Sequence, residues 1–145
     1  MPDARIEVVA DDDGLADAFA VRRDVFVDEQ GVDEAVEIDG RDDDAVHVIA
    51  YDGERAVGTA RLRTVGDETG KVERVAVRRE RRGEGLGREL MDAVEDLARE
   101  RGLNLLVLHA QTTVEGFYRD LGYETVSDEF EEAGIPHVEM RKRLG

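Results

Sequence analysis

Arginine and glycine crowd together at Arg81-Arg82-Gly83-Glu84-Gly85-Leu86-Gly87. Glycine has no Cβ, so glycines at alternate positions let backbone N–H groups come close to a ligand. Leu86, Leu90, Val94 and Leu97 follow at helical spacing, and the start of a helix favours a bound anion. The stretch has the makings of a phosphate seat. Six arginines in residues 74–88, against Glu80 and Glu84, give a local excess of four positive charges in a chain of net charge -16. A positive island in so negative a field attracts a compact polyanion. The plainer reading is a solvated helix entrance balanced by neighbouring acids.

Two familiar nucleotide motifs do not fit. A P-loop needs a lysine and then a serine or threonine after its last glycine, and neither follows Gly87. A dinucleotide fingerprint follows the first strand of its domain. Here Gly83, Gly85 and Gly87 come after the fourth predicted strand, and their last spacing is wrong. Three histidines without HxxH or HxxxH spacing do not argue for a metal site. With no cysteine there is no thiolate ligand, disulfide or cysteine nucleophile.

The elements that must hold this loop are legible along the chain. Arg5–Val9 predicts a short strand. Asp12 or Asp13 would cap a helix with Leu15, Ala18, Phe19, Arg22 and Phe26 on one face. Residues 28–44 are acidic and aperiodic, which predicts a loop or irregular helix. AVHVIAYDGERAVGTARLRTV (45–65) predicts a hairpin about Asp52-Gly53, and KVERVAV (71–77) a further central strand. Beyond the glycine loop a helix runs to Gly102, and LNLLVLHA (103–110) reads as a strand buried on both faces. Thr112 and Glu115 have capping-box spacing before a short helix that Gly122 closes. Residues 123–130 and 137–143 predict a last strand pair around the turn EEAGIP. The resulting order, β-α-β-β-β-α-β-α-β-β, is an α/β domain on a mixed central sheet, one domain over residues 1–145.

Composition narrows the class of partner. The chain holds 36 acidic and 20 basic residues, and a pI near 4.5 is the reverse of what a nucleic-acid binder carries. Nothing reads as a signal peptide or a membrane span, so a soluble, cytoplasmic protein is expected. Only Lys71 and Lys142 are lysines. This acid-rich, lysine-poor balance resembles that of salt-loving archaea, where high internal salt screens self-repulsion; an acidic protein from a GC-rich genome is the other reading.

Arg82-x-x-Gly85-x-Gly87, set between a buried strand and a long helix, resembles the pyrophosphate loop of the GNAT acyltransferases. VERVAV then takes the place of the family's splayed strand, and GFYRDLGY (116–123) that of its next helix. VFVDEQG (25–31), EIDGRD (37–42) and EEAGIPHVEM (131–140) are similar to segments of the ElaA-like branch. The resemblance implies the GNAT acyl-CoA N-acyltransferase fold, acetyl-CoA as donor and a primary amine as acceptor. It also implies the family's habit of forming homodimers.

Acyl transfer to an amine needs an anchor for CoA, a polarised carbonyl, a neutral amine and a proton for the departing thiolate. The resemblance gives the pyrophosphate to Arg82 and the backbone of Gly83, Glu84, Gly85, Leu86, Gly87 and Arg88. It gives the pantetheine and thioester to the backbone of Val75, Ala76 and Val77. Tyr118 is implied as the general acid, its phenol near pKa 10 against about 8.5 for a thiol; otherwise it is a core tyrosine. Gln111 either contacts CoA or caps the helix. For the base, Glu73 and His137 are candidates, with solvent exposure and turn chemistry as their respective alternatives; His109 reads equally as a core histidine. Glu29, Gln30 and Asp39 are implied on the acceptor side, while the rest of the acidic stretch reads as surface charge. Without cysteine no acetyl-cysteine intermediate forms, so direct attack in a ternary complex is expected. The rivals are a catalytically silent CoA-binding sensor and a GNAT enzyme using another acyl-CoA.

Overall fold

A computed structural model of the chain describes residues 4–9, 12–38, 40 and 45–144. Strand β1 (Arg5–Val9) leads to helix α1 (Asp12–Arg22), which widens into a π-helical segment, Arg23–Glu29. A short helix α2 (Glu34–Glu37) lies in the acidic stretch; the Asp33 carboxylate caps it by accepting from the Ala35 amide at 2.8 Å. Strands β2 (Val46–Asp52), β3 (Arg55–Gly66) and β4 (Thr69–Val77) form a meander, followed by helix α3 (Leu86–Glu100), strand β5 (Leu105–Gln111) and helix α4 (Glu115–Asp120). Strands β6 (Glu124–Thr125), β7 (Phe130–Glu132) and β8 (Ile135–Arg143) complete the chain.

The strands form one mixed sheet of eight, in the order β1-β2-β3-β4-β5-β8-β6 with β7 also on β8. Strand alternation divides the core between its two faces. Val48, Leu62, Val72, Leu106, Leu108 and Met140 pack under Leu86, Leu90, Met91 and Val94 of α3. Ile49, Tyr51, Ala56 and Ala76 face Ala18, Val21 and Val25 of α1 and its extension. The buried side of α1 thus carries Ala18, Val21 and Arg22, whereas Leu15 and Phe19 are only half-buried.

The feature that makes a site is a break between neighbouring strands. Strands β4 and β5 run parallel and pair only as far as Val72 with Leu108. Beyond that point β5 pairs with β8 alone, through Gln111 opposite His137. On its other edge β4 loses register with β3: Arg61 faces Glu73, but Thr59 faces Ala76. Two β4 residues therefore oppose one on β3, and Arg74 takes up a left-handed φ of 57°. A bulge bends its strand, and here β4 swings away from β5 over Val75, Ala76 and Val77.

Three local expectations are corrected. Strand β5 is buried on one face only, with Leu106, Leu108 and Ala110 in the core and the alternate residues half-buried. Thr112 caps nothing: residues Thr112–Val114 form a 3-10 turn, and Glu115 accepts hydrogen bonds from Arg119 and Thr125 instead. The capping box fails because a tertiary donor outcompetes the local amide. The last hairpin turns at Ala133-Gly134 alone, both at positive φ (54° and 75°). Those angles belong to the tight turn whose twist suits a hairpin, so Glu132 and Ile135 are strand residues. The partner strand expected over 123–130 is interrupted into β6 and β7.

Candidate active site

The gap between β4 and β5 is the floor of a cleft of about 910 Å³. Val75, Ala76 and Val77 form one wall, His109, Ala110 and Gln111 the other, and the glycine loop closes one end. Arg78 hooks back to Val57, leaving the chain to make a 3-10 turn (Arg79–Arg81) before the loop. Gly83 (φ 81°) and Gly85 (φ 86°) are left-handed, and an added Cβ would stand in open space at each. A side chain other than glycine resists that backbone. The first backbone bond of α3 runs from the Glu89 amide to the Gly85 carbonyl, 3.1 Å. The amides of Gly83, Glu84, Gly85, Leu86, Gly87 and Arg88 thus precede the helical ladder, at the positive end of the helix. A compact anion fits such a cradle. The Leu86 side chain is buried in the core, so only its backbone serves the loop. Arg88 is exposed and lines the cleft.

Most of the arginine island is neutralised by tertiary contacts. Arg74 pairs with Glu37 at 2.7 Å and Arg78 with Asp24 at 2.9 Å. Arg81 meets Asp52 at 2.6 Å and Glu84 at 3.0 Å. Arg82 grips both oxygens of Glu29, at 2.6 and 2.8 Å, while its Nε donates to the Val77 carbonyl at 2.9 Å. Expected ligands of donor and acceptor therefore bind each other here. Gln111 and Gln30, given to opposite sides of the site by the sequence reading, also meet: Gln111 Nε2 donates to Gln30 Oε1 at 2.9 Å.

Tyr118 lines the cleft from α4, its ring held edge-on by Phe117 at 5.0 Å and Tyr123 at 6.0 Å. Burial alone pushes its phenol well above the ordinary value of 10. The hydroxyl is thereby kept protonated, a donor rather than an anion.

The description "Acetyltransferase (GNAT) domain" matches residues 10–144. A Bacillus subtilis protein named as an acetyltransferase is 43% identical over 141 residues, 95% of each chain. A Lactobacillus plantarum crystal structure named as an N-acetyltransferase superposes with TM-score 0.92 and 33% identity, covering 99% of each chain. Escherichia coli ElaA does so with TM-score 0.86 and 27% identity over 96% of this chain and 99% of its own. The chain belongs to the GNAT acetyltransferase family. It has the acyl-CoA N-acyltransferase fold and is an acyltransferase. The GNAT fold binds acyl-CoA, and the open strand edge with the cradle of amides fits such a ligand.

The other charged groups of this GNAT site are firmly held. Glu73 receives Arg61 at 2.9 Å and Arg63 at 2.6 Å, with Lys71 at 3.6 Å. Burial works against its carboxylate, but the Arg63 hydrogen bond and the three cations outweigh burial and bring its pKa to about 2. A carboxylate so acidic holds a proton poorly. Glu37 is buried against Arg22, which donates to it at 3.0 and 3.1 Å. His137 Nδ1 donates to the Ile135 carbonyl at 2.7 Å. His109 is no core histidine: it lines the cleft, with Nδ1 2.9 Å from Glu132 Oε1. Asp39 lies outside the described residues. Among the described residues no group of three His, Cys, Asp or Glu could hold a metal, and no helix is long and apolar enough to cross a membrane.

Glu132 lines the cleft as a strand residue, although the sequence places it in the turn EEAGIP. Its signal was the alternation of His137 and Glu139, whose partner strand carries Phe130 and Glu132. Arg22 carried a fainter signal, an arginine on the apolar face of a helix.

Proposed function

We propose that this GNAT protein is an N-acetyltransferase moving the acetyl group of acetyl-CoA to a primary amine, small or peptidyl, by direct attack in a ternary complex. The observation that carries the reading is the opening of β4 from β5 beside the amides of Gly83, Glu84, Gly85, Leu86, Gly87 and Arg88. Those amides, with Arg82 and Arg88, hold the pyrophosphate, and the β4 edge over Val75, Ala76 and Val77 pairs with the pantetheine arm. Acetyl-CoA supplies an activated thioester. Tyr118 gives the departing sulfur a hydrogen bond from a phenol that burial keeps protonated. Full proton transfer to a thiolate of pKa about 8.5 is uphill from such a phenol, so its contribution comes as charge develops on sulfur. Gln111, tied to Gln30, lies between the donor and acceptor halves. His137 borders the acceptor, while Glu73, held near pKa 2, shapes the wall of charge better than it accepts a proton.

The wider reading is of one GNAT domain over residues 1–145, of the ElaA-like branch, from a salt-loving cytoplasm. No metal, membrane or nucleic acid takes part, and two copies pair as a homodimer. The likeness to ElaA and the -16 charge support the branch and the salt.

The test is release of CoA thiol from acetyl-CoA in high KCl, against amines, amino acids, polyamines and peptides. The chain has no cysteine to react with the thiol reagent. Intersecting double-reciprocal lines with one amine class are expected; parallel lines would exclude direct attack. Binding of acetyl-CoA without turnover of any acceptor would favour the silent sensor, and faster turnover of another acyl-CoA would reassign the donor.

A further inference from the structure

His109 of β5, His137 of β8 and Glu132 of β7 line the cleft together. The strand register puts them on one face of the sheet: Gln111 lies opposite His137, His109 opposite Glu139, and Phe130 opposite His137. The residues alternating with them, Leu108, Ala110, Val138 and Met140, belong to the core. Glu132 stands between the two imidazoles, Oε1 at 2.9 Å from His109 Nδ1 and Oε2 at 3.8 Å from His137 Nε2. Phe130 packs on both rings, edge-on to His109 at 5.0 Å and stacked with His137 at 6.2 Å.

The tautomer of His137 follows from its neighbour. A carbonyl can only accept, so Nδ1, 2.7 Å from Ile135 O, carries a proton, and Nε2 of the neutral ring holds a lone pair. That lone pair looks at a carboxylate oxygen across 3.8 Å, too far for a hydrogen bond between them. Two acceptors facing each other are satisfied by a donor with several protons, and a primary ammonium offers three.

We infer that Glu132 and His137 form the seat of the acceptor ammonium, Glu132 Oε2 accepting one N–H and His137 Nε2 removing the proton that blocks attack. The inference rests on the acetyl-transfer reading. One ammonium proton passes to His137; the freed nitrogen pair forms the C–N bond as the C–S bond breaks. The second proton ends on the thiol, and the proton on His137 leaves to solvent. His109 is a positioning residue: it lies between Glu132 and Glu139, whose Oε1 is 3.4 Å from His109 Nε2, and holds the Glu132 carboxylate in place. Other charged groups on this face are Arg141, paired with Glu139, Arg143 farther along β8, and Lys71 and Glu73 of β4 on the other side of the cleft.

The chain contains three histidines, His47, His109 and His137, so long-range proton–nitrogen spectra can assign each ring. At pH 8 the free protein should show His137 protonated on Nδ1, and its Nε2 signal should move as n-butylamine or cadaverine is added. Glu132→Gln should abolish that movement. In turnover it should raise the amine KM by about tenfold, the loss of one charge-assisted hydrogen bond, with acetyl-CoA KM unchanged. His137→Gln should lower kcat by about 100-fold. His109→Asn should raise the amine KM only. His137 protonated on Nε2, or an amine response and amine KM unaltered by Glu132→Gln, would overturn the seat. Amine-induced shifts that require Glu132, in a protein that transfers no acetyl group, would support the seat and sink the acetyl-transfer reading alone.

Discussion

Arg82, which lines the cleft, and Glu29, 53 residues away in sequence, meet in a two-pronged ion pair at 2.6 and 2.8 Å. The arginine holds the Glu29 carboxyl below its ordinary range. A diphosphate arriving at the loop must compete with that carboxylate for the same guanidinium. Exposed pairs of this kind are worth about 0.2–1 kcal/mol. Glu29→Gln should therefore tighten CoA binding by up to about fivefold by calorimetry, and the gain should vanish in an Arg82→Gln background. Weaker CoA binding by Glu29→Gln would mean that Glu29 orients Arg82 rather than competing for it.

Glu73 ties three cations of β3 and β4 together at the edge of the cleft. Its folded pKa of about 2 lies below the ordinary 4.5. Its contribution to stability is complete above pH 4.5 and is lost as the pH falls toward 2. Glu73→Gln should cost about 1–3 kcal/mol at pH 7 in urea unfolding, and the gap from the parent should shrink steadily between pH 4.5 and 3. A gap independent of pH would show that shape rather than charge is what Glu73 supplies.

Gly85 starts α3 at φ 86° and ψ 7°, where any other residue meets backbone strain of about 1–2 kcal/mol. Gly102, at φ 76° beyond the other end of α3, has equally open surroundings. Gly85→Ala and Gly102→Ala should lose similar stability, but only Gly85→Ala should weaken CoA binding, by about tenfold or more. Equal CoA affinity in the two variants would remove the loop from the pyrophosphate site.

Tyr118 is buried among Phe117 and Tyr123, and its ionisation is displaced upward. Tyr118→Phe should lower kcat by about 100-fold while CoA affinity stays within about twofold. Since the phenol stays protonated through pH 10, the parent's kcat should show no alkaline loss assignable to this tyrosine. Unchanged turnover in Tyr118→Phe would end its role as hydrogen-bond donor to the departing sulfur.

Local chemistry along the chain determined a good deal: the strands and helices, the loop at Gly83, Gly85 and Gly87, and the helix behind it. These follow from hydrophobic period and backbone freedom, which act over a few neighbouring residues. The turn at Ala133-Gly134 escaped because alanine seldom adopts positive φ, so Glu132 passed for a loop residue. The charge around the loop could not be read locally at all. Its excess of four is answered by Asp24, Glu29, Glu37 and Asp52, all brought from elsewhere in the chain. Likewise the cleft exists because a bulge at Arg74 ends the pairing of β4 with β5, and the His109–Glu132–His137 group exists because three strands bring it to one face. Ion pairs and strand register join residues far apart in sequence. Only the folded sheet decides which of them meet.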